Sequence, residues 1–406
     1  MTTAAESPFR RVVWPLALAE TIVWAAMFYS FPALLLEWER DLGWSKTELS
    51  GAFTLALALS ALLAPVMGRF IDRSHGLLVL TGSAFLGAAS LAYLSYASSL
   101  WQFYTAWFGI GIAMSGALYE PCFAFLTRTM GDRARQAITL LTLIAGFAGT
   151  ISFPGVHALL LITDWHGAVL VLAGVVALTA VPLFWYGCRN AHHEGSQHAH
   201  GAATHRSALV LRVMAQPAFW LLAFAFAMVA LSHGLVLTHL LPLLDERGVG
   251  HDTAVLAASM IGPMQVAGRL AMMAAEKHTS MIVIGATCFI AMGVAAISLL
   301  GAAAVPMLLV TFVVFHGAGY GVTSIVRPVL IADLLGRINF GLVAGLLAVP
   351  FLAASAASPT IAALVWEVGG YDLVIWGVVS ALALGLAALL TAARLAQTST
   401  ADILKP

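Results

Sequence analysis

The sequence predicts an all-α membrane protein, with twelve transmembrane helices in two pseudo-symmetric six-helix bundles. Three observations carry this reading. First, of 406 residues 61% are hydrophobic and 9% are charged, with a mean hydropathy of +0.94, whereas roughly a quarter of the residues in ordinary soluble domains are charged. Second, the apolar residues gather into twelve stretches, each near the roughly 20 residues a helix needs to cross the hydrocarbon layer. They are long and do not alternate, so they read as helices and not barrel strands. Third, sequence blocks recur at an offset of 207 residues.

Composition also excludes function classes. So apolar a chain cannot cover a folded surface with polar groups in water, which rules out a soluble enzyme. Nineteen basic residues balance nineteen acidic ones, leaving no basic patch for nucleic acid. There is no P-loop, no Ser-His-Asp order and no metal-ligand spacing, so the expectation is no enzyme, no cofactor and no metal. Cys122, Cys188 and Cys288 lie in or at the ends of spans and suggest no disulfide framework.

The elements follow in order. Span 1, about 12–36, comes after Arg10 and Arg11. It outruns a signal peptide's apolar core and is followed at once by another span, so it reads as an uncleaved helix. Span 2, about 47–71, opens with the capping box Ser45-Lys46-Thr47-Glu48. Span 3 covers about 77–97 and span 4 about 100–127; Gly109, Ala113, Gly116 and Glu120 share one side of span 4, as close helix packing requires. Span 5, about 136–161, carries Gly146-Phe147-Ala148-Gly149 and Phe153-Pro154-Gly155, and span 6 covers about 167–188.

The longest polar break is 189–216. It contains His192, His193, His198, His200 and His205. A His-rich tract can bind Zn²⁺ or Ni²⁺, but no ligand spacing favours that over a flexible linker. The expected domains are therefore an N-terminal bundle (1–188), a cytoplasmic linker (189–216) and a C-terminal bundle (217–406). Spans 7 to 12 cover about 217–243, 253–275, 280–301, 305–332, 340–364 and 372–394.

Lys and Arg set the orientation. With the N-terminus inside, fourteen fall in cytoplasmic segments and three, Arg40, Lys46 and Arg247, fall outside; Arg269 and Arg327 lie within spans. The expectation is a multi-pass protein of a bacterial-type inner membrane with both termini cytoplasmic. Glu39-Arg40-x-x-Gly43 after span 1 matches Glu246-Arg247-x-x-Gly250 after span 7, and Pro121 matches Pro328, all 207 residues apart. Parallel halves of this kind are a transporter device in which one half moves against the other.

Between spans 2 and 3 stands Gly68-Arg69-Phe70-Ile71-Asp72-Arg73-Ser74-His75-Gly76. It resembles the cytoplasmic loop signature of the major facilitator superfamily, Gly-x-x-x-Asp-Arg/Lys-x-Gly, with one extra residue before the final Gly and with Leu77 and Leu78 in place of the basic tail. The resemblance implies the major facilitator fold and alternating access. It also implies a gating role for Asp72 and Arg73, through charge-assisted bonds to helix ends. The alternative is a polar loop that merely obeys the positive-inside rule.

Charges within spans are costly, by about 2.5–3.5 kcal/mol on insertion scales, so they are the candidate functional groups: Glu20, Glu120, Arg269 and Arg327. Arg269 shares a helical stripe with Gln265 and Glu276. The segment Gly262-Pro263-Met264-Gln265-Val266-Ala267-Gly268-Arg269 resembles span 8 of the monocarboxylate-porter and oxalate–formate exchanger branches, which implies that Arg269 grips a substrate carboxylate. Two departures stand out. Gln265 replaces the acid of the animal-type porters, and span 11 lacks the lysine of the oxalate exchangers, so one cationic anchor favours a monoanion. A snorkelling or structurally paired arginine is the alternative.

His316, Tyr320, Thr323 and Arg327 share one face of span 10. His316 and His233 are candidates for substrate or proton contact, since imidazole exchanges protons near neutrality. Glu20, with Trp24 one turn on, is a candidate proton carrier or an interfacial acid anchored by Arg10, Arg11 or water. Glu120 and Arg327, 207 residues apart, are candidate gating charges that either pair with each other or within their own halves.

The leading functional reading is a secondary active transporter for a small, monocarboxylate-like organic anion, driven by proton coupling or exchange. Its substrate residues would be Arg269, Gln265, His316, Tyr320 and Trp24, its proton carriers Glu20, His233 and His316, and its gates Asp72, Arg73, Glu120 and Arg327. Competing readings are an efflux permease for trivalent arsenicals or hydrophobic drugs, a vitamin or metabolite carrier, and a non-transporting receptor. The expected partners are a small-molecule substrate, protons or a counter-solute, and the lipid bilayer, with no nucleic acid and a monomeric state.

Overall fold

A computed structural model describes residues 6–191, 214–335 and 340–403. The described residues contain helices and no strand. Ten helical stretches are long and apolar enough to cross a membrane. Two of them, Lys46–Leu94 and Val343–Ala396, have 49 and 54 residues, or roughly 75–80 Å at 1.5 Å per residue, more than twice the hydrocarbon thickness of about 30 Å. Each is broken near its middle, and eight single stretches plus two double ones are consistent with twelve crossings.

The chain divides into two compact units, Met1–His198 and Ala199–Pro406. The histidines of the 189–216 segment all lie outside the described residues.

In the first unit the helices are α1 (Phe9–Leu42), α2 (Lys46–Phe70), α3 (Gly76–Leu94), α4 (Leu100–Met130), α5 (Gln136–Leu160) and α6 (Trp165–Arg189). Helix α1 ends on Gly43 at φ 68°, a left-handed C-cap that favours glycine. The capping box at Ser45 is formed: Glu48 N–H donates to Ser45 Oγ at 3.2 Å, and the Glu48 carboxylate accepts Ser45 N–H at 2.9 Å. A second box, Ser99 with Gln102, opens α4. Asp164 caps α6 by accepting Gly167 N–H at 2.8 Å, and that bond holds its carboxyl below the usual carboxylate range.

The core at the α1 C-terminal end of this unit is aromatic. Phe31 stacks on Phe53 at 4.3 Å, and Trp107 meets both edge-on. Trp38 adds Phe103 and Trp165 to the cluster. Trp165 Nε1 donates to Asp41 at 2.6 Å, so its polar atom is satisfied while its ring is buried.

The break between α2 and α3 falls at Arg73 and Ser74, and Ser74 is left-handed at φ 70°. Arg128, at the end of α4, ties this turn down. It donates through Nη1 to Ile71 O at 3.2 Å and through Nη2 to Ser74 Oγ at 2.7 Å.

In the second unit the helices are α7 (Pro217–Glu246), α8 (His251–Ala275), α9 (Met281–Ser298), α10 (Pro306–Leu335), α11 (340–368) and α12 (371–403). The last two are separated by Gly369 and by Gly370 at φ 66°. Pro359 inside α11 cannot donate to the carbonyl of Ser355; the Ser358 hydroxyl does so instead at 2.7 Å. His239 Nε2 faces the Pro359 carbonyl at 3.1 Å, and its Nδ1 faces Tyr371 Oη at 3.2 Å. A carbonyl only accepts, so Nε2 carries hydrogen and the ring acts as a strut between α7, α11 and α12.

The matching blocks at offset 207 do not make matching contacts. Glu39 accepts from Lys46 at 2.5 Å, while Glu246 accepts from Trp366 Nε1 at 2.8 Å. Arg40 lies 3.5 Å from Glu37, while Arg247 pairs with Asp372 and donates to Leu300 O. Only the first of these arginines reaches a side chain on its own helix.

Candidate functional site

Two polar clusters occupy the interiors of the two units. In the second unit His233 on α7 and His316 on α10 are 7% and 1% exposed. His233 Nδ1 lies 3.0 Å from His316 Nε2, so one of these nitrogens carries the hydrogen that the other accepts. Tyr320 stacks on His233 at 3.4 Å with an interplanar angle of 6°, and Phe312 stacks on His316 at 5.1 Å. Phe312, His316 and Tyr320 recur every fourth residue, so one face of α10 presents them together.

Glycines let α8 approach α10 closely. A Cβ on Gly268 would lie 2.6 Å from the Ala318 backbone, and one on Gly317 would lie 2.6 Å from Met264 Cβ. Gly321 is in similar contact with the Gln265 backbone. The approach brings Arg269 to α10, where its Nε donates to Gly321 O at 3.1 Å. Both Arg269 and Arg327 act electrostatically on the Tyr320 phenol. The Arg327 guanidinium also covers the Phe351 ring at 4.2 Å, a cation–π contact between α10 and α11. Thus four expected residues, Arg269, His233, His316 and Tyr320, belong to one cluster. Gln265 lies one turn from Arg269 with its backbone against Gly321, whereas Thr323 turns its hydroxyl to the Tyr320 carbonyl. Glu276 is exposed at the α8 C-cap, off this cluster.

In the first unit Glu20 on α1 is 0% exposed, and neither carboxylate oxygen reaches a partner at hydrogen-bonding geometry. Its polar neighbours are Cys122 and Trp24, with Glu120 close enough to act on it through space. It is a buried acid, so the anchoring to Arg10 or Arg11 that the sequence left open is replaced by an interior position. Trp24 begins a π-helical stretch, Trp24–Tyr29, of a kind often found at functional sites. Its ring packs on Phe28 at 5.0 Å and Tyr119 at 4.7 Å. Ser152 on α5 donates to the Ala25 carbonyl of this stretch at 2.8 Å.

Helix α4 breaks at Leu118 (φ −96°, ψ −166°), and a new helical segment, Tyr119–Met130, begins there. Pro121 explains the break, because it lacks the N–H that would continue the ladder and its ring crowds the preceding turn. Glu120 thereby falls in a first helical turn, where the helix dipole favours an acid. Its counterpart Arg327 precedes Pro328 inside the uninterrupted α10. Asp72 and Arg73 are both exposed on the α2–α3 turn.

Sequence reasoning missed three contributors: Arg128 as the clamp of the α2–α3 turn, Cys122 beside Glu20, and the break at Leu118. Pro121 was the available signal for the last. Among the described residues no group of three or more His, Cys, Asp or Glu side chains is placed to hold a metal ion. The three cysteines are buried and unbridged.

Similarity to known proteins agrees with this architecture. Residues 16–291 match the family model described as Major Facilitator Superfamily. No curated protein matches the chain. Among solved structures the chain is similar to a bacterial homologue of the human lysosomal transporter Spinster. In its inward-facing, unoccupied form the TM-score is 0.69 at 14% identity, over 96% of each chain. In its inward-facing, occupied form the TM-score is 0.67 at 15% identity, over 97% of each. At such identities the likeness shows the fold. The family match covers well over half of the chain, and with the membrane-length helices it identifies the protein as a multi-pass member of the Major Facilitator Superfamily of transporters.

Proposed function

We propose that this transporter carries a small organic anion, monocarboxylate-like in size and charge, across a bacterial-type inner membrane with both termini cytoplasmic, and that transport is coupled to protons. One observation carries the reading. Arg269 is oriented by its Nε bond to Gly321 O at 3.1 Å, and Gly321 is next in sequence to Tyr320, whose ring stacks on His233 of the His233–His316 pair. A guanidinium stays charged in any protein environment, and its terminal nitrogens match a carboxylate in a fork. Tyr320 supplies a hydroxyl donor, and His316 and Gln265 orient the bound anion. In the first unit Glu20 carries a proton beside Trp24, whose ring offers an apolar contact for substrate. Asp72, Arg73, Glu120 and Arg327 are the gating charges.

Thiol-based efflux of trivalent arsenicals has less support. Such ions favour converging thiolates, yet among the described residues no group of three or more His, Cys, Asp or Glu side chains is placed to hold a metal ion.

The reading is tested by ligand-dependent thermal stabilisation in nanodiscs, with L-lactate, pyruvate, oxalate, arsenite and a hydrophobic cation as probes. A ligand that binds the folded protein raises its stability by mass action. The expected result is stabilisation by lactate or pyruvate that disappears in Arg269→Gln. Stabilisation by arsenite or the cation alone contradicts it.

A further inference from the structure

The two central imidazoles of the second unit are placed so that they cannot both be charged while they touch. Their facing nitrogens, His233 Nδ1 and His316 Nε2, are 3.0 Å apart and share one hydrogen. With both rings neutral, that hydrogen belongs to one ring as its tautomeric proton. With one proton added, the donor ring takes it on its far nitrogen and becomes imidazolium, and its facing N–H still donates to the lone pair of its neutral partner, whose own hydrogen is on its far nitrogen. A second added proton would put N–H on both facing nitrogens and destroy the contact.

The geometry of the contact admits one shared charge and opposes two. Phe312 and Tyr320 bracket the pair with ring faces, which attract a cation. Tyr320 of α10 lies against His233; away from the helix ends, the other ionisable residues of the neighbouring helices are Arg327 on α10, Arg269 on α8 and Cys288 on α9. His239, further along α7, is already engaged by Pro359 and Tyr371. In α11 and α12 the ionisable residues lie near the helix ends: Glu367, Tyr371, Asp372, Arg394 and Asp402. Arg269 and Arg327 act electrostatically on Tyr320, which itself stacks on His233.

We infer that His233 and His316 work as one acid–base unit that carries a single proton, and that an anion at Arg269 and the proton on this pair favour each other's binding. The second half rests on the anion-transport reading; the first does not. Reciprocity is required thermodynamically: if the anion raises proton affinity, the proton raises anion affinity by the same factor.

The test counts protons. Purified protein in nanodiscs is titrated downward from about pH 8, starting above the ordinary imidazole value near 6.5, to the lowest pH at which it stays folded, and proton uptake is measured. Wild type is compared with His233→Asn, His316→Gln and the double variant. Asparagine places an amide nitrogen near the Nδ1 position and glutamine near the Nε2 position, so each keeps a hydrogen-bonding group. The expected result is one proton more in wild type than in the double variant, with each single variant equal to the double, because an amide is far too weak a base to share the proton as a second imidazole does. Two extra protons in wild type, or one retained by either single variant, overturns the single-proton unit.

Nitrogen NMR of histidine-labelled wild type needs no variant. A single-step titration of the facing nitrogens supports the unit, and two separate steps overturn it. Adding L-lactate then separates the two claims. Greater proton uptake in wild type but not in Arg269→Gln supports the link to the anion. A one-proton pair indifferent to lactate, pyruvate and oxalate overturns the link while the single-proton unit stands.

Discussion

Arg269 on α8 donates its Nε–H to the carbonyl of Gly321 on α10 at 3.1 Å. The bond fixes the plane of the guanidinium next to Tyr320 and couples two helices through a residue that the proposal also uses for substrate. A lysine keeps the charge but loses both this bond and the fork. Hydrogen bonds to charged groups contribute about 1.5–3 kcal/mol. Arg269→Lys is therefore expected to lower anion flux roughly 10- to 100-fold in reconstituted vesicles while the protein remains monodisperse. Undiminished flux in the lysine variant would remove the fork from the mechanism.

Close approach of α8 to α10 has its own consequence. At Gly268 an added methyl meets the Ala318 backbone 2.6 Å away, and backbone cannot turn aside. At Gly293 nothing lies within 4 Å. Overpacking of this sort typically costs about 1–3 kcal/mol. Thermal unfolding should show Gly268→Ala clearly destabilised and Gly293→Ala nearly unchanged. Equal effects would mean that the helices separate more easily than this packing implies.

Much of this molecule was legible in its sequence, for identifiable reasons. Apolar run length depends on composition, so the membrane-length helices and their order could be read without tertiary information. The Ser45 capping box was legible because it is encoded within four residues. The shared face of His316 and Tyr320 followed from helical periodicity. Contacts between helices were not legible: His233 and His316 are 83 residues apart, and nothing in either segment announces the other. Arg128 counted as a cytoplasmic charge, yet its bonds reach Ile71 O and Ser74 Oγ across more than fifty residues of chain. Pro121 and Pro328 looked equivalent at offset 207, but the first accompanies a break and the second does not. Local sequence does not show which helix has neighbours that tolerate a break.

Glu20 offers a cleaner separation of transport from coupling. Its carboxyl group is fully buried beside Cys122 and Trp24, and glutamine matches its shape without its titration. Glu20→Gln is expected to abolish accumulation driven by a proton gradient while substrate counterflow, which needs no net proton movement, continues. Loss of both activities in a folded variant would make Glu20 part of substrate binding instead.

The α2–α3 turn depends on Arg128. Removing its bonds to Ile71 O and Ser74 Oγ leaves the left-handed Ser74 without its side-chain tether. Arg128→Ala should raise amide hydrogen exchange across residues 70–76 by roughly 10-fold or more, the equivalent of a charged hydrogen bond of about 1.5 kcal/mol. Exchange in the Asp164–Gly167 turn serves as an internal control and should not move.

Asp164 gives a pH dependence with a defined sign. Gly167 N–H holds its carboxyl below the ordinary range. A group depressed in the folded state contributes stability that is present above its unfolded value and is lost as pH falls through the folded one. Relative to the intrinsic exchange rate at each pH, protection of the N-terminal turn of α6 should therefore fall as the medium turns acidic, below about pH 4 where an ordinary aspartate takes up its proton. In Asp164→Ala that protection should be low at every pH. A wild type whose α6 N-terminus ignores acid would contradict the capping assignment.

Proton-driven uptake of labelled L-lactate into proteoliposomes, wild type against Arg269→Gln, tests the central claim most directly, with arsenite flux measured in the same vesicles. The account predicts lactate accumulation under an inward proton gradient in wild type and none in the variant. Arsenite movement without lactate uptake, unchanged when Arg269 is replaced, would contradict it and leave that arginine as a tie between α8 and α10.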